Sequence, residues 1–154
     1  MSKEWIRQLS GAWRGTSQLW FEPDVVADTA EVSGSFESIL NGKFVRFNYR
    51  STIQGQPRQG EELIAFNSLT QQFEVAWIDD FHMSDAILFS VGPAIERGFE
   101  VTGHYEVGGG NPPWGWKTRY ELLEDGRLCM TAYNLMPGEP AAKALETILE
   151  RCSV

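Results

Sequence analysis

Gly11-Ala12-Trp13-Arg14-Gly15 follows a short polar N-terminal segment and is answered, near the other end of the chain, by Arg151. A Gly-x-Trp at the start of a first strand, with an arginine on the last strand, suits the floor of a closed β-barrel. The indole can cap the floor, and the guanidinium can lie across it as a cation–π pair. Glycine before the tryptophan lets the backbone pass close to the ring. Gly11, Trp13 and Arg151 are therefore the expected closure set, and a closed barrel is a container.

The rest of the chain is organised as such a barrel requires. Residues 2–9 read as a single helical turn with Trp5, Ile6 and Leu9 on one side. Ten short runs of period-two alternation follow, at 12–21, 29–40, 43–53, 61–66, 72–79, 86–91, 99–107, 115–123, 127–135 and 142–151. Asn41-Gly42 and Asp125-Gly126 are tight-hairpin dipeptides. Residues 55–60 and 108–113 read as longer loops, and Met136-Pro137-Gly138-Glu139-Pro140 as the last hairpin. No helical period is long enough to cross between parallel strands. The expected fold is all-β: a single antiparallel up-and-down β-barrel of about ten strands with a short N-terminal helical turn, one domain over 1–154.

Alternation also sorts the faces. With Trp13 inward, Ser17, Leu19 and Phe21 share its side. The inward sets of later runs are Val32, Gly34, Phe36, Ser38 and Leu40; Val45, Phe47 and Tyr49; Phe99, Val101, Gly103, Tyr105 and Val107; and Trp116, Thr118, Tyr120 and Leu122. The last run offers Leu145, Thr147, Leu149 and Arg151, which places Arg151 on the face of Trp13.

Composition excludes several partners. The chain has 154 residues, enough to bury one core without disulfide or metal. Six Trp, nine Phe and four Tyr can line or fill a lumen, and a net charge of -8 argues against nucleic acid and anionic membranes. No apolar run approaches 18 residues and residues 1–10 are polar, so neither a membrane helix nor a signal peptide is expected, and the cytoplasm is the default location. A homodimer is compatible with the sequence. Cys129 and Cys152 fall roughly opposite each other if the last two strands form a hairpin, which makes a disulfide conceivable; free thiols are the expectation in a reducing compartment.

Longer pieces carry a family resemblance. They are Trp77-Ile78-Asp79-Asp80-Phe81-His82, Gly103-His104-Tyr105, Pro113-Trp114-Gly115-Trp116, Thr131-Ala132-Tyr133-Asn134 and Lys143-Ala144-Leu145-Glu146-Thr147, with Lys43-Phe44-Val45, Tyr49 and Gly60 earlier. The chain resembles, over nearly its whole length, a bacterial domain-of-unknown-function family within the calycin (lipocalin-like) superfamily. The resemblance implies a barrel with an internal cavity and implies no reaction.

Within that cavity Asp79 is the first candidate. It shares parity with Phe73, Val75 and Trp77, and an inward carboxylate needs a partner. Such a partner is either a ligand or the protein itself, through backbone N–H groups at the Asp79-Asp80 corner or an arginine. His82 and His104 are the only histidines. Near Asp79, Asp80 and Glu106 they could make a metal site, yet His104 has outward parity and His82 lies in a loop, so no metal is expected. Haem-binding calycins exist, but no C-x-x-C-H attachment signature is present, and no cofactor is expected. Pro112-Pro113-Trp114-Gly115-Trp116 after three glycines is either a flap over the mouth or rim and core packing. Gly108-Gly109-Gly110-Asn111 lacks the helix and Lys-Ser/Thr of a phosphate loop, and no Gly-x-Ser-x-Gly elbow exists.

Three functional readings follow. The first is a binding module holding a small, partly apolar ligand, with Trp77, Asp79, His82, Tyr105, Trp116 and Tyr120 as the binding set. The second is a small-molecule enzyme using Asp79 with His82 or His104 as acid and base. The third is a filled barrel with a structural or interaction role. The aromatic residues favour the first over the third, and the missing nucleophile, metal motif and cofactor loop favour it over the second.

Overall fold

The computed structural model describes residues 3–82 and 85–153. Helix α1 (Lys3–Arg7) is followed by eleven strands. They are β1 (Gly11–Glu22), β2 (Val25–Ile39), β3 (Phe44–Ile53), β4 (Gln56–Asn67), β5 (Gln72–Asp79), β6 (Leu88–Gly92), β7 (Ala94–Ile95), β8 (Gly98–Tyr105), β9 (Trp114–Leu122), β10 (Leu128–Leu135) and β11 (Ala142–Arg151). Each longer strand pairs antiparallel with its chain neighbour, and β1 pairs with β11. Pairing of β6 with β8, Ser90 opposite Gly103 and Val91 opposite Thr102, closes ten strands into a barrel. The two-residue β7 is an extra strand folded back on β8. The expected all-β antiparallel barrel of ten strands with a tiny N-terminal helix is the fold observed. Ser2, where the helical turn was expected to begin, lies outside the described residues.

Several details differ from the alternation pattern, each for a local reason. Phe21 is 59% exposed instead of inward, because register shifts at Leu19/Trp20 and Trp20/Glu22 reverse the parity of the strand end. Leu40, 68% exposed, is not a strand residue: Leu40, Asn41 and Gly42 all take positive φ, and the hairpin runs through four residues between Ile39 and Phe44. Val107 lies beyond the end of β8 and is exposed. The expected loop at 55–60 is largely strand. Gln54 and Gly55, with φ of 50° and 81°, form a two-residue turn, and pairing starts at once with Ile53 opposite Gln56. Cys129 sits opposite Ile148, four positions short of Cys152, so the register rules out the conceivable cross-strand bond, and both thiols are free.

The barrel has a solid floor. α1 ends in Arg7, whose Nε donates to the Gly42 carbonyl at 2.7 Å and ties the helix to the β2–β3 turn. Trp5, Ile6 and Leu9 pack beneath Trp13, Phe36, Phe47, Phe66, Phe73, Phe99, Leu128 and Leu149 as one buried cluster. The Trp13 indole N–H donates to the Leu9 carbonyl at 2.7 Å, and the Arg151 guanidinium carbon lies 4.5 Å from the ring centroid. Arg151 also donates to the carbonyls of Ser10, at 3.1 Å, and of Gln8. Gly11 has φ of 128°, and a Cβ there would lie 3.8 Å from Arg151 Nη1, an ordinary contact, so the glycine serves the backbone conformation and not the approach of the cation. A second, smaller cluster of Trp77, Leu88, Trp116, Ala132 and Ala144, with Tyr105 and Leu145 against it, lies toward the opposite mouth.

Candidate functional site

Between the two clusters three neighbouring strands set polar residues in rows. Tyr49, Gly60 and Asp79 are register partners across β3, β4 and β5, and Phe47, Glu62 and Trp77 form the next row. Period two along β4 then puts Arg58, Gly60, Glu62, Ile64 and Phe66 on one face, so this strand alone carries a cation and a carboxyl into the barrel. Gly60 makes the first row work. A Cβ there would collide with the Tyr49 hydroxyl and the Ile78 carbonyl, so only glycine lets the phenol cross β4 to reach Asp79.

Asp79 is 4% exposed and fully engaged. Its Oδ1 accepts from the backbone N–H of Phe81 at 2.7 Å and of His82 at 2.8 Å. Its Oδ2 accepts from Arg58 Nε at 3.0 Å and from the Tyr49 hydroxyl, and Tyr49 in turn accepts from the Trp77 indole N–H at 2.9 Å. Burial opposes the charge on Asp79, but Arg58, the Tyr49 hydroxyl and the two backbone donors outweigh it and hold the pKa below its ordinary value. Burial first, together with the Asp79 charge, raises the Tyr49 phenol well above the usual tyrosine range. Asp79 therefore organises Arg58, Tyr49 and the turn after β5, and it has no oxygen left for a ligand.

Glu62 is differently placed. Its Oε1 accepts from the Tyr120 hydroxyl at 2.6 Å, while Oε2 has no hydrogen-bond partner among the described residues. Burial pushes its pKa up to about 7, with Asp79 adding to the rise and Tyr120 and Arg58 opposing it. Arg58, 5% exposed, uses only Nε; Nη1 and Nη2 make no hydrogen bond among the described residues. Both side chains border a lumen of about 40 Å³ whose other walls include Tyr49, Trp77, Thr118, Met130, Ala132 and Thr147. That space holds about three water-sized groups. On the far wall the hydroxyls of Ser17 and Thr147 satisfy each other at 3.0 Å.

The remaining candidates sort by height in the barrel. Trp77 and Trp116 stack at 5.4 Å in the upper cluster, with the His82 ring 5.6 Å and 5.9 Å from them and 4.9 Å from Phe81. The imidazole makes no side-chain hydrogen bond among the described residues, and its Nε2 is buried without a partner. Burial first, then Arg58, lowers its pKa to about 4, so it is neutral at neutral pH. Tyr105, half-buried at the rim, donates to Asn134 Oδ1 at 2.6 Å and meets Trp114 edge-on. Tyr120 lies lower, fully buried and stacked 4.3 Å from Phe99 in the floor cluster, reaching the site only through Glu62. His104 is exposed on the outer face of β8, opposite Gly115, far from any pairing with Asp79. Asp79 touches the backbone of His82, not its imidazole. Among the described residues no three His, Cys, Asp or Glu side chains gather as metal ligands.

Arg58 and Glu62 are functional residues that the sequence does not single out: Arg58 lies in the stretch 55–60, which reads as a loop, and Glu62 stands in a run whose inward face is unmarked. The signal was there: carrying the parity of Ile64 and Phe66 back along the chain reaches both residues.

The molecule is thus an antiparallel ten-stranded β-barrel with an aromatic floor, a buried polar layer and an aromatic mouth. Residues 1–151 match the family described as a protein of unknown function, DUF1579, and the chain belongs to that family. No curated protein matches it.

Proposed function

We propose that the chain is a lipocalin-like, calycin-type binding module, bacterial and cytoplasmic, that holds a small amphiphilic ligand between the lumen and the mouth. The observation that carries this is that Arg58 and Glu62, facing one lumen, each keep hydrogen-bonding atoms that no described residue fills, while the other polar groups around them satisfy one another. A barrel selected only for stability gains by filling such a layer with aliphatic side chains, because unpaired buried polar groups are costly. The ligand's polar end takes the lumen and its apolar part lies along Trp77, Met130 and Ala132 toward Trp116. His82, held at the mouth by ring contacts and its backbone, is the side chain that gives way.

The size of the lumen, about 40 Å³, favours a second reading, a filled barrel that acts through its surface. Native mass spectrometry of protein taken from its own host separates the two. A copurifying small molecule, released on acid unfolding, is expected. Protein that carries no small molecule, and whose melting temperature no amphiphile raises, overturns the binding reading in favour of the filled barrel.

A further inference from the structure

We propose that the head group bound here is a carboxylate, held by the free guanidinium nitrogens of Arg58 and by Glu62 in its protonated form, so that binding takes up a proton. This rests on the binding reading above and names the ligand class for it.

The guanidinium is fixed before any ligand arrives. Nε is anchored on Asp79 at 3.0 Å, and the Arg58 Cζ lies 4.9 Å from the Tyr49 ring centroid. Anchoring Nε leaves the Nη1/Nη2 edge, whose parallel N–H bonds match the two oxygens of a carboxylate. Asp79 cannot satisfy that edge, since both its oxygens are occupied. Glu62 forms no ion pair with Arg58 and offers Oε2 to the same space.

Charge decides the protonation. Arg58 and Asp79 neutralise each other, so an incoming carboxylate beside an ionised Glu62 would set two like charges side by side without a second cation. Two carboxyl groups in such contact share one proton. The ionisable and charged groups facing Glu62 are Arg58 on its own strand, Tyr49 from β3, Asp79 from β5 and Tyr120 from β9. Both phenols stay protonated at neutral pH, so among the described groups facing the lumen it is Glu62 that takes the proton. A planar two-oxygen head also suits a space of about 40 Å³ better than a tetrahedral phosphate, which would bring a second negative charge toward Asp79 and Glu62.

The test is calorimetric titration of the full chain with decanoate, decanol and decyl phosphate. Titrations run near pH 6, 7 and 8, each in two buffers of different ionisation heat. Decanoate is expected to bind at least about tenfold more tightly than decanol near pH 6, to take up close to one proton per site near pH 8, and to weaken about fivefold from pH 7 to 8. Glu62→Gln should keep decanoate binding and abolish both the proton uptake and the loss of affinity above pH 7. Arg58→Lys keeps a cation against Asp79 but not the fork, and should weaken decanoate at least about tenfold while leaving decanol unchanged. Decanoate and decanol binding alike, decyl phosphate binding most tightly, or proton uptake persisting in Glu62→Gln would each overturn the proposal. Failure of all three probes, decanol included, counts instead against the binding reading itself. Should Arg58→Lys not fold, the proton count in Glu62→Gln decides alone.

Discussion

Glu62 and His82 sit in one barrel with protonation equilibria displaced in opposite directions, and this shapes how stability depends on pH. The Glu62 carboxyl titrates near 7 in the folded chain against an ordinary 4.5, so the folded state holds more protons between these values and stability falls as pH rises through them. His82 titrates near 4 against an ordinary 6.5, so the folded state holds fewer protons there and stability rises with pH over that span. Where the windows overlap the slopes offset, and from about 6.5 to 7 the Glu62 slope acts alone. Glu62→Gln keeps an acceptor for Tyr120 and removes one of the two slopes. Its urea midpoint should climb between about pH 4.5 and 6.5 where that of the parent stays nearly level. Near pH 8 the variant should be the more stable, by up to about 3 kcal/mol. A variant whose midpoint tracks that of the parent at every pH would show that the carboxyl is not displaced.

At the scale of elements, the strand that carries the site is the one least legible in the sequence. Pro57 between Gly55 and Gly60 reads as a loop, because proline cannot donate to a ladder and both glycines signal turns. Instead Pro57 lies at the second position of β4 opposite Thr52, and Gly60 is a crossing point for Tyr49. The strands with uninterrupted alternation, β3, β5 and β9, were legible almost to the residue, and with them Tyr49, Trp77, Asp79 and Trp116. What parity could not show was where it breaks: the bulge at Leu19/Trp20 that turns Phe21 outward leaves no mark in residue types. The turn before β4 gives a direct check on this geometry. Gln54 holds φ of 50°, a region that asparagine tolerates better, and its backbone N–H donates to Asp28 Oδ2 at 3.0 Å. Gln54→Asn completes an Asn-Gly turn and should raise stability by about 0.5–1 kcal/mol in thermal unfolding. A loss of stability would mean that the turn is not of this type.

Over the whole molecule, the large apolar cluster and the smaller aromatic one occupy opposite ends of the barrel. At the floor the rings of Trp13, Phe36, Phe47, Phe66, Phe73 and Phe99 gather with Trp5 and Ile6 of α1, with few polar atoms to satisfy. Trp13→Ala should cost about 3–5 kcal/mol in denaturant unfolding, as deletion of a buried indole does. Arg151→Lys should cost less, through loss of the guanidinium's contact with the ring face and of one of its two carbonyl contacts. Equal effects of the two substitutions would mean that the cation, not the ring, closes the barrel. This end was legible because its two partners belong to the first and last strands, which only a closed sheet brings together.

The opposite end has a consequence for how the protein can be watched. The Trp77 and Trp116 rings lie 5.4 Å apart and 20° from coplanar, close enough for their transition dipoles to couple, so circular dichroism should show an exciton couplet that Trp116→Phe abolishes. An imidazolium quenches indole emission and a neutral imidazole does not, so emission should dim as pH drops past about 4 and His82 gains its proton. A ligand that parts these three rings, or a proton that charges one of them, therefore announces itself in light, with no label attached.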